Sequence, residues 1–329
     1  MSLIEHLRTK IQQSGPIPFS EYMEEVLYHP RFGYYSSLRL PIGTEGDYYT
    51  SSDLDPVFGK LLAKKFESMA EGFDSFTLVE LGAGKGSLAR HILEQRRFPY
   101  LILERSPAMR EHQRELLKDF DVRWIDELPQ RLTGCIFSNE FFDALPVHRI
   151  RCRGGLLKEL YVTGEFEEIE GGLQSPIDLR LEEGQTADIN LEARSWIRRI
   201  ADSLGKGYHL AIDYGYLHDE FYAQPHGTLM CYRRHQAVEN PYTHIGEQDM
   251  TAHVNFSDLM DEGSRAGLET QSFQTQMNFL IEMGILDQMQ QLAAAGDAAS
   301  LQRLLRIKKL ILPGNMGERF KVLVQRKGA

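Results

Sequence analysis

The 329-residue chain is short of cysteine, with three, and of tryptophan, with two. Cys135, Cys152 and Cys231 lie far apart and form no C-x-x-C pair. That spacing excludes a disulfide framework and a structural zinc site, and reads as buried thiols in a reducing compartment. Basic charge is in deficit: 37 lysines and arginines stand against 47 acids, a formal net charge of -10. Nucleic-acid binding needs a basic footprint, so no nucleic-acid partner is expected. The same balance suits a basic partner, such as a lysine- or arginine-bearing protein segment. No apolar run reaches the roughly 20 residues of a membrane-spanning helix, and no membrane insertion is expected. Residues 1–13 alternate charged and apolar side chains without a signal-peptide core, which makes a cytoplasmic protein the expectation. Walker spacing and metal-ligand clusters are absent too, so no metal is expected.

What is present is an alternation of strands and helices from residue 77 onward, the pattern of an α/β fold with a parallel sheet. Strands are expected at Leu78–Leu81, Tyr100–Glu104, Val122–Ile125, Gly134–Glu140 and Tyr208–Gly215. Helices are expected at Ser87–Gln95 and Pro107–Phe120, and, C-terminally, near Thr275–Leu292 and Ala298–Ile311. A last strand, Arg319–Gln325, would close the sheet antiparallel. Ahead of this core, residues 1–75 form a helical, aromatic-rich addition with Ser20 as a candidate N-cap. The core itself takes residues 76–150 and 206–329. Residues 151–205, with part of 216–250, form an insertion on the substrate side, including a strand pair turning at Thr163-Gly164 and a helix over Asn190–Ser203.

The chemistry-bearing stretch is Glu80-Leu81-Gly82-Ala83-Gly84-Lys85-Gly86. A three-glycine turn between strand and helix lets a ligand approach the backbone and meet the free N–H groups of the helix start. Its G-x-G-x-G spacing, with an acid two positions before the first glycine, differs from the G-x-G-x-x-G of dinucleotide dehydrogenases. It is the pattern of class I methyltransferases that bind S-adenosyl-L-methionine. In such sheets ligands sit at the carboxyl ends of the strands. Glu104 is placed to accept both ribose hydroxyls, and Asn139-Glu140 ends a neighbouring strand. Asp126 either accepts from the adenine amino group or caps a helix at Glu127-Leu128.

Several segments outside a generic core carry a more specific resemblance. They include Tyr28-His29-Pro30-Arg31-Phe32-Gly33-Tyr34-Tyr35, Gly46-Asp47-Tyr48-Tyr49-Thr50-Ser51 and Asn139-Glu140-Phe141-Phe142-Asp143-Ala144-Leu145-Pro146. Ile212-Asp213-Tyr214-Gly215 and the run from Gly246 to Phe256 complete them. The chain resembles the MidA family of bacterial and mitochondrial methyltransferases, whose mitochondrial member assists assembly of respiratory complex I. The resemblance implies a Rossmann-like class I methyltransferase sheet with a helical N-terminal addition and an inserted α+β substrate lobe. It implies transfer to a protein side-chain nitrogen, arginine in the mitochondrial member, with a protein as partner. A carboxylate must then hold the guanidinium. Glu140 is the candidate, with Asn139 beside it and Asp143 as a second acid; the same loop could instead only shape the pocket. The second glutamate of the double-glutamate loop of arginine methyltransferases is missing, since Arg149 stands there. Asp47 and Thr50 belong to a candidate lid over the cofactor, or to a packing turn. His253 lines the cleft or sits in the core, and Asn255 stands where the family usually carries Asp. A different class of function is an assembly factor that keeps the cofactor but catalyses little.

Overall fold

Hydrophobic alternation places the strands. The computed structural model describes residues 1–36, 54–234 and 236–328. In chain order its strands are β1 (Ile17–Pro18), β2 (Thr77–Leu81), β3 (Tyr100–Leu103), β4 (Val122–Ile125), β5 (Leu132–Asn139), β6 (His148–Arg153), β7 (Leu156–Val162) and β8 (Glu168–Gly171). There follow β9 (Thr186–Ile189), β10 (Leu204–Tyr216), β11 (Leu229–Arg233), β12 (Gln236–Val238), β13 (Asp249–Ala252), β14 (Val254–Asn255), β15 (Glu269–Thr275) and β16 (Phe320–Lys327). Along β2, Leu78 faces one side of the main sheet with Phe66, Phe137 and Ile307. Val79 and Leu81 face the other side with Ile136, Trp196 and Phe256. The period of two thus buries both faces at once, as a sheet covered by helices requires.

The main sheet runs β15-β16-β10-β5-β2-β3-β4, with β14 beside β10. β10, β5, β2, β3 and β4 are parallel, and β16 lies antiparallel between β10 and β15. After β2 the chain builds outward through β3 and β4, then crosses back to β5 on the other side of β2. That reversal opens a crevice at the carboxyl ends of β2 and β5. The C-terminal strand closes the sheet antiparallel, as expected. β15, not expected from the sequence, forms the edge; its residues are half-exposed and lack a strong apolar alternation. The helix expected near Thr275–Leu292 divides at Gly284, in left-handed backbone at φ 97°, into Gln276–Met283 and Ile285–Ala295.

A second lobe carries the sheet β1-β7-β6-β9, with β8 beside β7, and the sheet β12-β11-β13. The hairpin at Thr163-Gly164 is present, with Val162 opposite Glu168. The N-terminal helices Leu3–Ser14 and Phe19–Tyr28 share one apolar cluster with Val147, Val162, Cys231 and Met250. The N-terminal addition therefore packs into the same lobe as the inserted strands. Ser20 does not cap the second helix. Ile17-Pro18 is drawn into pairing with Tyr161 and Val162, so the helix starts at Phe19 and Ser20 lies inside it. All three cysteines are buried and free. No helix among the described residues is long and apolar enough to cross a membrane.

Candidate active site

Three strand ends build the donor side. Gly82, Gly84 and Gly86 all have positive φ, at 62°, 52° and 81°. At Gly82 a Cβ would stand 3.0 Å from Phe141 Cδ2, so only glycine lets the turn close onto the loop that follows β5. Gly86 begins the helix Ser87–Gln95 without a side-chain cap, which leaves its first N–H groups for a ligand. Glu80 lies beneath this turn, 2% exposed, and accepts a hydrogen bond from the Tyr100 hydroxyl at 2.7 Å. Burial pushes its carboxyl up to about 7, with the nearby Glu104 adding to the rise and the Tyr100 hydroxyl opposing it. Glu104 is 8% exposed; its Oε1 accepts from the Ser106 N–H at 2.9 Å. Burial raises its pKa as well, against that N–H and the Gln113 amide.

The Glu80 shift has a stability consequence. Between pH 4.5 and about 7 the folded chain keeps a proton that the unfolded chain has released. Stability therefore falls as pH rises through that window, by at most about 3 kcal/mol from this group. Glu80→Gln keeps the acceptor for Tyr100 and removes the titration. Denaturant midpoints of the donor-free protein should fall from pH 5 to pH 8 more steeply in the native chain than in the variant. Parallel pH profiles would refute the assignment.

Asp126 follows β4, with its side chain 85% exposed and its Oδ1 held by Arg110 Nη2 at 2.6 Å. No helix follows it, so the capping alternative is ruled out. Arg110 also donates to the backbone carbonyls of Glu104 and Ile125, which ties the ends of β3 and β4 together. Asp47 and Thr50 lie outside the described residues.

On the acceptor side, β5 ends at Asn139 and the chain turns sharply. Glu140 adopts φ 55°, a strained setting for a non-glycine residue, while its N–H donates to the Ile212 carbonyl at 2.9 Å. The next three N–H groups, of Phe141, Phe142 and Asp143, converge on Asp213 Oδ2 at 3.2, 3.0 and 3.4 Å. Asp213 comes from β10, so the neighbouring strand clamps the loop. Asn139 Nδ2 in turn donates to Glu140 Oε1 at 2.9 Å. Asp143 sits in a turn within this loop, buried at 3%. Burial pushes its carboxyl up to about 6, offset in part by the Tyr214 hydroxyl.

These groups open on a cavity of about 270 Å³. Glu140, Asp143 and Asp249 supply its carboxylates, Arg319 a cation, and Tyr35, Tyr214, Tyr232 and Phe320 rings. The Tyr35 hydroxyl donates to Asp249 Oδ1 at 2.6 Å. His253 also lines it, packed edge-on against Tyr214, and burial lowers its pKa. Arg149 is elsewhere: it lies in the second lobe, paired with Asp188 at 3.2 Å and Glu168 at 2.5 Å. Asn255 caps the helix Phe256–Arg265, accepting from the Asp258 N–H. An aspartate could cap there equally well, so the difference from the family leaves the helix start intact.

Sequence reasoning thus missed Asp213, Asp249 and the tyrosines as site residues. Asp213 and Asp249 lie in segments that carry the family resemblance, yet neither position signals its role without the fold. One further group among the described residues has metal-ligand spacing: His6, Glu25 and His29. Lys10 Nζ holds Glu25 Oε1 at 2.6 Å, and His29 Nδ1 accepts from the N–H groups of Arg31 and Phe32. Packing of the two N-terminal helices accounts for that group.

Residues 57–274 match the sequence model of a family of S-adenosyl-L-methionine-dependent methyltransferases. The mitochondrial protein arginine methyltransferase NDUFAF7 of Danio rerio is 30% identical, over 97% of this chain and 85% of its own. The protein of the same name from Rattus norvegicus is 31% identical, over 97% and 83%. A Burkholderia thailandensis protein solved with S-adenosyl-homocysteine bound superposes with a TM-score of 0.93. It is 31% identical, over 99% of this chain and 92% of that one. The donor side fits such a cofactor: a turn with three glycines at positive φ, an uncapped helix start and a buried carboxylate beside them. S-adenosyl-L-methionine is the cofactor, and the chain belongs to the MidA family of S-adenosyl-L-methionine-dependent methyltransferases.

Proposed function

We propose that this enzyme methylates the side-chain nitrogen of an arginine in a protein. The observation that carries this reading is the acidic, tyrosine-walled cavity reached from the same strand ends as the glycine turn. Three carboxylates against the one arginine of the lining, Arg319, suit a further cation, and flat rings suit a planar guanidinium stacked against them. When bound, the cofactor supplies an electrophilic methyl group on a sulfonium. The protein's task is to aim a nitrogen along that bond and to place charge around it.

In this reading Glu140 and Asp249 accept from the guanidinium, taking the place of two glutamates on one loop. Asn139 sets the Glu140 carboxylate through its amide. Asp143 Oδ1, buried and without a hydrogen-bond partner among the described residues, takes the proton that the methylated nitrogen releases. Glu104 would hold the ribose of the donor and the glycine turn its amino-acid half. The Asp249–Tyr35 hydrogen bond links the cavity to the N-terminal addition, which would form part of the protein-binding face.

The reading is tested with methyl-labelled donor and proteins of a lysate, followed by hydrolysis and separation of the amino acids. Label is expected in methylarginine. Label confined to lysine, to small molecules or to RNA would refute it. A cofactor-binding assembly factor with little catalysis would leave proteins unlabelled.

A further inference from the structure

We propose that Gln113 is a positioning residue for the methyl donor: its amide locks the glycine turn and the Glu104 carboxylate into one frame. Gln113 lies on the helix Pro107–Leu116 and is fully buried. Its Nε2 donates to the Gly84 carbonyl at 2.7 Å and reaches Glu104 Oε2 at 3.4 Å. Its Oε1 accepts from the Trp124 indole N–H, on β4, at 2.7 Å. An indole N–H only donates, so the amide has one possible orientation, with both of its own donors turned to the site.

Gly84 and Glu104 follow different strands, and nothing covalent close by relates them. The amide does. Glu104 then has Oε1 fixed by the Ser106 N–H and Oε2 by Gln113, so its plane is set before a ribose arrives. Gly84 has its carbonyl turned inward to Gln113, which fixes how the turn presents its N–H groups. Gly86 makes room for this arrangement, since a Cβ there would stand 3.2 Å from Gln113 Cγ. Fixing ligand-binding groups in advance raises affinity by sparing the ordering cost on binding. Gln113 itself need not touch the donor.

Calorimetry with S-adenosyl-homocysteine, and with adenosine as the ribose-bearing fragment, tests this on four variants. Gln113→Ala should weaken S-adenosyl-homocysteine by roughly tenfold, and adenosine by a smaller factor. Trp124→Phe removes the indole N–H together with the five-membered ring that carries it; it should weaken binding by about two- to fivefold. Gln113→Glu preserves shape but sets a second carboxylate beside Glu104, with Glu80 and Arg110 as the other charged neighbours. Measured relative to the native chain, in which Glu80 also titrates, its defect should grow as pH rises and the two adjacent acids ionise, a dependence that packing alone does not produce. Gln113→Asn, one methylene short, should remain as weak as the alanine variant. Melting of the donor-free proteins reports folding separately. Native affinity in Gln113→Ala and Trp124→Phe would overturn the proposal. So would a Gln113→Glu defect that is independent of pH and tracks lost thermal stability.

Discussion

Glu140→Gln is expected to lower methyl transfer to a protein acceptor by about 10²–10³-fold while leaving donor affinity unchanged. Glutamine preserves the length of the side chain and can keep the acceptor for Asn139 Nδ2. It also inherits the same left-handed backbone at φ 55°, so the substitution adds no new strain. What it removes is the charge. A guanidinium held by a carboxylate through paired, charge-assisted bonds would face a neutral amide, one of whose ends is a donor pointed at a donor. Single-turnover rates with labelled donor and calorimetry with S-adenosyl-homocysteine separate the two effects. Undiminished transfer in the variant would exclude Glu140 from the acceptor site. Glu140→Gly would relax the backbone and lose the carboxylate, so it should be as inactive as the glutamine variant without being less stable.

Asp213→Ala is expected to cost about 3–5 kcal/mol of stability and to damage both halves of the site. The Asp213 side chain is fully buried and gathers the N–H groups of Phe141, Phe142 and Asp143 on Oδ2, and its Oδ1 accepts from the Tyr214 N–H. Alanine leaves these buried donors without the acceptor that gathers them. The loop must then shift, and it carries Glu140 on one side and Phe141 against Gly82 on the other. Donor affinity should therefore fall along with transfer, in contrast to Glu140→Gln. Asp213→Asn retains one acceptor oxygen and should lie between the native chain and alanine. Urea midpoints and donor calorimetry on the three proteins would show this order. An alanine variant with native stability and native donor binding would contradict the clamp.

How much of this was legible beforehand differs from residue to residue. The helices Ser87–Gln95 and Ala298–Ile311 follow from apolar periodicity, because each buries residues of the face that the pattern itself displays. Ser20 misled because a serine ahead of an amphipathic run looks like a cap. The long-range pairing of Ile17-Pro18 with β7 decided where that helix begins. β15 was illegible because an edge strand that is half-exposed needs no hydrophobic alternation. The glycine turn was legible, since three glycines after an acid-bearing strand have few other uses. Asp126 fits two roles in the sequence, and the structure excludes the cap because no helix follows it.

The sequence by itself determined the donor: Glu80, the turn from Gly82 to Gly86 and Glu104 are local signals, spaced by the lengths of one strand–helix–strand unit. Local spacing suffices there because the crevice forms wherever such units reverse order. On the candidate acceptor side the sequence named Glu140 and Asp143, and only the tertiary structure brought Asp249 and the tyrosines to them. Glu140, Asp143, Asp249, Tyr35 and Tyr214 come from four distant segments and meet in one cavity only because β5 lies beside β10 and the N-terminal lobe folds across them. Asp213 and Gln113 belong to the same class: buried polar groups whose partners lie up to 72 and 29 positions away in sequence. No periodicity or motif encodes such pairings, because hydrogen bonding inside a core is satisfied by whichever strand or helix the fold brings near.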